Sequence, residues 1–231
     1  MRKYQHLFFD LDRTLWDFET NSVLALQEIF STRKLAIKAD WTFDDFHKCY
    51  KEYNHFLWDE YKLGKVEKAF LRIERFRGTL KKFGISDEGL SANIADDYVR
   101  ISPQKTKLFP DTIEVLSALN NKYHMHIITN GFSEVQFIKL EKSGLSPFFE
   151  EVITSEMVGV QKPDVKVFEH ALKASKATVN ESIMIGDDQD SDIMGAQKIG
   201  MDQIFVDYDY ENLIVQPTYH IHQLSELLNI L

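Results

Sequence analysis

The amino-acid sequence predicts an α/β fold in which a doubly wound parallel sheet is interrupted by an all-helical insertion. Three observations carry this. A short apolar run stops at Asp10, residues from about 20 to about 100 show only helical periodicity, and helix and strand patterns alternate after Pro110. The first run, QHLFF at residues 5–9, is too short for a helix and suits a buried strand. In the helical stretch, Val23, Leu26, Ile29 and Phe30 share one face, and Phe46, Cys49, Tyr50, Tyr53, Leu57 and Tyr61 share another. Thr42 with Asp45 reads as a capping box opening the second of these helices. Val66, Phe70, Ile73, Phe76 and Leu80 mark a third helix before Gly84, and Leu90, Ile94 and Tyr98 a fourth before Pro103. Beyond Pro110, helices over residues 111–121, 132–142, 164–175 and 191–199 alternate with strands over 123–129, 150–155, 182–186 and 203–207. The ending YHIHQLSELLNIL adds a short strand and a terminal helix. A crossover between parallel strands needs only about a dozen residues, so the long helical stretch is an insertion. The expected organisation is an α/β core of residues 1–16 and 105–231 with a helical insert of residues 17–104.

Composition excludes several classes. With 44% hydrophobic and 27% charged residues and only 10 Gly and 5 Pro, the chain has the makings of a packed core rather than a collagenous or disordered chain. No apolar run reaches the roughly 18 residues that span a bilayer, so no membrane partner is expected. The opening MRKYQHLFFDLD meets acid too soon for a signal peptide, which points to a cytoplasmic protein. The single Cys49 leaves no internal disulfide and no multi-cysteine metal site. A net charge of −9 argues against a nucleic-acid polymer as partner, since that binding rests on basic patches. The charge is uneven: +2 over residues 1–110 and −11 over residues 111–231. The acidic half is one in which converging carboxylates can hold a hard cation.

In an open α/β sheet, ligands sit beyond the carboxyl ends of the strands. There the sequence places Asp10-Leu11-Asp12-Arg13-Thr14, Thr129-Asn130-Gly131, and Gly186-Asp187-Asp188 with Asp192 following, while Lys162 precedes Pro163-Asp164 at a helix start. Carboxylates gathered in one cleft repel one another unless a cation neutralises them, and an all-oxygen donor set suits Mg²⁺. A metal beside a lysine, a threonine hydroxyl and backbone N–H groups makes a receptor for a phosphoryl group. Asp10 and Asp12, two apart, can then serve as nucleophile and proton donor.

These motifs occur in family order, and the sequence resembles the haloacid dehalogenase superfamily. Its phosphatases carry Asp-x-Asp-x-Thr after the first strand, Thr or Ser after the second, Lys before a helix, and an acidic Gly-Asp motif after the fourth. FFDLDRTLWDFETNS, ITNGF followed by Gln136, Leu140 and Ser143-Gly144-Leu145, and GDDQDSDIMGAQKIG are similar to the noncanonical pyrimidine nucleotidases, a 5′-nucleotidase branch. The resemblance implies a Rossmann-like core with a helical cap, acting on a small-molecule phosphate ester with Mg²⁺ as cofactor. It makes Asp10 the nucleophile, Asp12 the acid and later base, and Asp10, the Asp12 carbonyl and Asp187 the metal ligands. Thr129 and the Asn130 N–H would hold phosphate oxygens, and Lys162 would pair with phosphate and Asp10. Thr14 and Asp192 would act behind these, with Asp192 orienting Lys162 or a metal-bound water. Asp188 and Asp190 are additional acids whose contact with the metal is left open, and Arg13 would face away.

Trp16, Phe18 and Phe132 directly follow catalytic segments and are candidate stacking partners for a nucleotide base. Tyr50, Tyr53, Leu57 and Tyr61 read as packing inside the insert. The basic run from Lys62 to Lys82 reads as a solvated helix face, and the pairs His124/His126 and His220/His222, with no ligand cluster nearby, as structural. A nucleoside 5′-monophosphate leads among substrates, with sugar phosphates or phosphoglycolate behind it. A phosphomutase keeps the same motifs. A dehalogenase needs neither Asp12 nor metal, and a phosphoacceptor signalling domain would be about half as long with its Lys after the last acidic strand end.

Overall fold

The computed structural model describes residues 3–231. The chain divides into two compact units, one of residues Met1–Phe18 and Thr106–Leu231, the other of Glu19–Lys105. In the first, six strands, β1 His6–Phe9, β2 His124–Thr129, β3 Glu151–Thr154, β4 Ser182–Gly186, β5 Asp202–Val206 and β6 Tyr219–Ile221, form one sheet in the order β3-β2-β1-β4-β5-β6. Every neighbouring pair is parallel. The sheet grows outward from β1 in both directions, which places the switch point at the end of β1, between β2 and β4.

The central strands are buried on both faces, and alternate residues feed two cores. Leu7, Phe9, Ile127, Ile183, Ile185 and Ile204 pack with Leu116 and Leu140 on one side. Phe8, Ile128 and Met184 pack with Val167, Phe168 and Ala171 on the other. The covering helices of this unit are α5 Thr112–Asn120, α6 Ser133–Lys142, α7 Ser155–Val158, α8 Val165–Ser175, α9 Gly195–Lys198 and α10 Leu227–Ile230, numbered after the four helices of the second unit. The expected helix over 191–199 differs from what forms. Residues Gln189–Met194 make a π-helical turn and α9 follows. The N–H groups of Asp192 and Ile193 both donate to the Asp188 carbonyl, a widened turn of the kind common at functional sites. Pro163 also stands outside its helix, because Asp164 is the N-cap and accepts from the Lys166 N–H.

The second unit is built from α1 Phe18–Thr32, entering at its first residue, α2 Phe43–Lys62, α3 Lys68–Lys82 and α4 Glu88–Ile101. Its core joins Leu26, Ile29, Phe46, Tyr50, Phe76, Leu80, Ile94 and Tyr98. The Thr42–Asp45 capping box forms in both directions. Arg75, expected on the solvated face, is instead buried beneath Tyr98 and donates to Asn54, so the basic run is solvated only in part. No helix among the described residues is long and apolar enough to cross a membrane.

Candidate active site

Register brings the acidic segments together. Phe9 pairs with Ile127 on one side and Ile185 on the other, so Asp10, Ile128 and Gly186 stand at the same level at this end of the sheet. The Asp10 N–H still donates to Ile185 (2.9 Å), which fixes the backbone as its side chain enters the cleft.

Lys162 is the hub. Its ammonium is fully buried and donates to Asp10 Oδ1 (2.7 Å), Asp192 Oδ1 (2.6 Å) and the Ile128 carbonyl (2.8 Å), using all three of its donors. The loop that delivers it is clamped by the Asn130 side chain, whose Oδ1 accepts from the Lys162 N–H and whose Nδ2 donates to the Lys162 carbonyl. Asp192 reaches Lys162 past Gly186, where a Cβ would stand 2.2 Å from Asp192 Oδ2, so only glycine fits. Asp187 accepts from the Thr14 hydroxyl (2.8 Å), and the Thr14 carbonyl in turn accepts from Tyr208 Oη (2.9 Å). One carboxylate oxygen from each of Asp10, Asp187 and Asp192 lies within 4.8 Å of the other two.

Charge in this cleft is out of balance, because three carboxylates face one ammonium. Burial pushes Asp10 up to about 7, opposed by Lys162 and reinforced by Asp192 and Asp12. Burial and the neighbouring Asp10 and Asp192 push Asp187 well above the carboxylate range, with the Thr14 hydroxyl alone opposing among the leading causes. Asp192 is raised by burial against the pull of Lys162. For Lys162, burial acts to lower the value, but Asp10 and Asp192 outweigh it and hold the ammonium above the usual lysine range.

Asp12 occupies a different environment. Its Oδ2 accepts from Gln136 Nε2 (2.8 Å), which also donates to Thr129 Oγ1 (2.6 Å), and its Oδ1 pairs with Lys139 Nζ (2.5 Å). Thr129 Oγ1 accepts a second bond from the Gly131 N–H (3.0 Å), so its own proton is left as the donor it can offer a ligand. Gln136 and Lys139 stand one turn apart on α6, and both are buried. Neither role is readable from composition: a Gln and a Lys three apart on a helix look like a polar face until β1 is known to lie beside β2.

The remaining candidates separate. Asp188 caps the turn after β4, accepting from the N–H groups of Asp190 and Ser191, and Asp190 is exposed; neither joins the Asp10 cluster. Trp16 offers no exposed face for stacking. It is fully buried with Lys139 Nζ 4.2 Å over its ring, so the indole floors that ammonium instead of offering a face to a base. Phe132 is also buried, whereas Phe18 keeps partial exposure with Arg13 at 5.3 Å over its ring.

The model of the family described as haloacid dehalogenase-like hydrolase matches residues 7–206, the span that carries every motif above. The chain belongs to this family. The hydrolase superposes on the crystal structure of the magnesium-bound HAD-hydrolase YfnB of Bacillus subtilis with a TM-score of 0.90 at 30% identity, covering 99% of both chains. It is 29% identical to the pyrimidine 5′-nucleotidase YjjG of Escherichia coli over 99% of this chain and 98% of the relative. It is 31% identical to the pyrimidine 5′-nucleotidase PynA of Streptococcus pneumoniae over 99% and 95%.

Proposed function

We propose that this hydrolase is a Mg²⁺-dependent phosphomonoesterase that works through a phosphoaspartate on Asp10 and acts on pyrimidine nucleoside 5′-monophosphates. The observation that carries the chemistry is the partition of carboxylates: Asp10 sits in the Lys162 cluster while Asp12 is tethered apart by Gln136 and Lys139. A nucleophile and a proton carrier need such separate environments. A hydrolytic dehalogenase has no use for the second, held carboxylate.

The residues fit a divalent cation. All donors are oxygens, three carboxylates face one ammonium, and a dication restores neutrality. Asp10, the Asp12 carbonyl and Asp187 would hold Mg²⁺, which supplies charge neutralisation and polarisation of the phosphoryl oxygens. With Thr129 Oγ1 and the Asn130 N–H donating to the phosphate oxygens and Lys162 balancing their charge, a carboxylate oxygen of Asp10 forms a bond to phosphorus as the ester P–O bond breaks. Asp12 gives its proton to the departing oxygen. It then takes a proton from the water that attacks the phosphoaspartate, which releases inorganic phosphate, frees the Asp10 carboxylate and returns Asp12 to the protonated form in which it began.

The pyrimidine assignment rests on the motif resemblance and on the two nucleotidase relatives. Its test is phosphate release with Mg²⁺ across pyrimidine and purine nucleoside monophosphates, hexose and triose phosphates and phosphoglycolate. Pyrimidine 5′-monophosphates are expected to give the highest kcat/KM. A sugar phosphate at the head of the panel would refute the nucleotidase assignment and leave the phosphatase chemistry standing.

A further inference from the structure

A second constellation lies outside the Asp10 cleft, at the carboxyl end of β5 and along the edge strand β6. Asp207, the residue after β5, has a fully buried carboxylate. His220 and His222 alternate on and just after β6, so both rings point to one face. His220 Nε2 is 2.9 Å from Asp207 Oδ2, and His222 Nδ1 is 3.8 Å from the same oxygen. One ligand atom from each of the three lies within 4.8 Å of the other two.

We propose that Asp207, His220 and His222 form a binding site for a borderline divalent d-block cation, with Zn²⁺ the first candidate. Two imidazoles and one carboxylate are the donor mix that suits zinc, whereas Mg²⁺ prefers the all-oxygen set of the Asp10 cleft. A backbone contact orients the carboxylate, and packing orients the two rings. The Glu211 N–H donates to Asp207 Oδ1 (2.9 Å) and leaves Oδ2 turned toward the rings. Tyr210 stacks on His222 at 4.2 Å and Phe205 on His220 at 5.2 Å, so both imidazoles are held in orientation by packing. Asp207 is buried while the two rings keep 26% and 34% exposure, which leaves the open side toward solvent for entry and for a fourth ligand.

The same nitrogens hydrogen-bond to Asp207, His220 to the carboxylate and His222 to the main-chain carbonyl (2.8 Å). Binding requires that His220 Nε2 and His222 Nδ1 turn their lone pairs to the cation, so a proton on either of these nitrogens moves to the other ring nitrogen or is released to solvent. An ion there would fix the turn from Asp207 to Glu211. That turn includes Tyr208, whose hydroxyl holds the Thr14 carbonyl, which gives the site a bonded route to the loop that positions Asp187.

The test is calorimetric titration of the full-length, metal-stripped protein with ZnCl₂ in excess Mg²⁺, paired with thermal melts. The wild type is expected to bind one equivalent of Zn²⁺ and to gain melting temperature with it. The His220→Gln/His222→Gln variant is expected to lose both effects. His222→Gln alone, which alters a part-exposed ring, is expected to bind at least about tenfold more weakly, the scale on which even supporting residues matter at metal sites. Asp187→Asn is expected to keep the equivalent. No Zn²⁺ uptake by the wild type in excess Mg²⁺ would overturn the proposal. So would undiminished binding by the double variant, which would place the ion elsewhere on the protein, and so would loss of the equivalent in Asp187→Asn, which would place it in the Asp10 cluster.

Discussion

Gln136→Leu separates catalysis from folding. The Gln136 amide nitrogen donates to both Asp12 and Thr129, while its carbonyl oxygen is buried with no hydrogen-bond partner. Leucine removes a bond to a carboxylate, worth about 1.5–3 kcal/mol, and a neutral bond worth about 1 kcal/mol. It also removes an unsatisfied acceptor that costs about 1–3 kcal/mol, and Asp12, with a quarter of its side chain exposed, can rehydrate. These terms nearly cancel, so the variant should melt within a few degrees of the wild type. Catalysis has no such offset. Asp12 keeps one tether, Lys139, and is free to turn, which should forfeit about 10- to 100-fold of the 10²–10⁴ that a positioned general acid supplies. The assay is kcat on a nucleoside monophosphate against kcat on p-nitrophenyl phosphate, whose leaving group needs little protonation. The nucleotide should lose the larger factor. An equal loss on both substrates, or no loss on either, would refute the assignment of Gln136 as the residue that positions Asp12.

Three further outcomes are expected. Asp12→Asn should lower kcat by about 10²-fold or more for alkyl esters and by less for p-nitrophenyl phosphate, read in the same paired assay. Lys162→Met should destabilise the fold by about 3–5 kcal/mol in chemical denaturation, because it strands Asp10 and Asp192 as buried, unpaired carboxylates. The third is a pH dependence. Asp10 is raised to about 7 in the metal-free fold, so the folded state binds more protons than the unfolded chain, and stability present below about pH 4 is lost as the pH rises through 7. Melts with and without Mg²⁺ from about pH 5 to about pH 8 should therefore show a metal-induced stabilisation that grows with pH, and a constant or shrinking one would contradict the account.

The sequence carries the core of the site because the chemistry follows strand ends. Asp10, Thr129 and Asp187 each close or follow an apolar run that can be recognised by itself, and a parallel sheet brings such ends to one level. The remaining roles depend on neighbours set by topology. Gln136 and Lys139 acquire their roles only because β1 pairs with β2 and brings Asp12 to α6. Asp207 lies 13 residues before His220 in the chain, so that His-x-His pair looks free of ligands until β5 pairs with β6. Trp16 looks available beside its motif, yet the Asp12–Lys139 pair draws an ammonium over its ring and closes it off. The expected regular helix over 191–199 gives way to a π turn, because periodicity has no signal for the single widened turn around Asp188.

The central claim is that Asp10 carries the phosphoryl group. Rapid acid quench of enzyme turning over a nucleoside monophosphate with Mg²⁺, followed by peptide mass analysis, tests it directly. The account predicts a phosphoryl adduct on Asp10 that forms within a single turnover, decays as phosphate appears, and is absent from Asp10→Asn. Full turnover with no adduct, or an adduct on another residue, would contradict it.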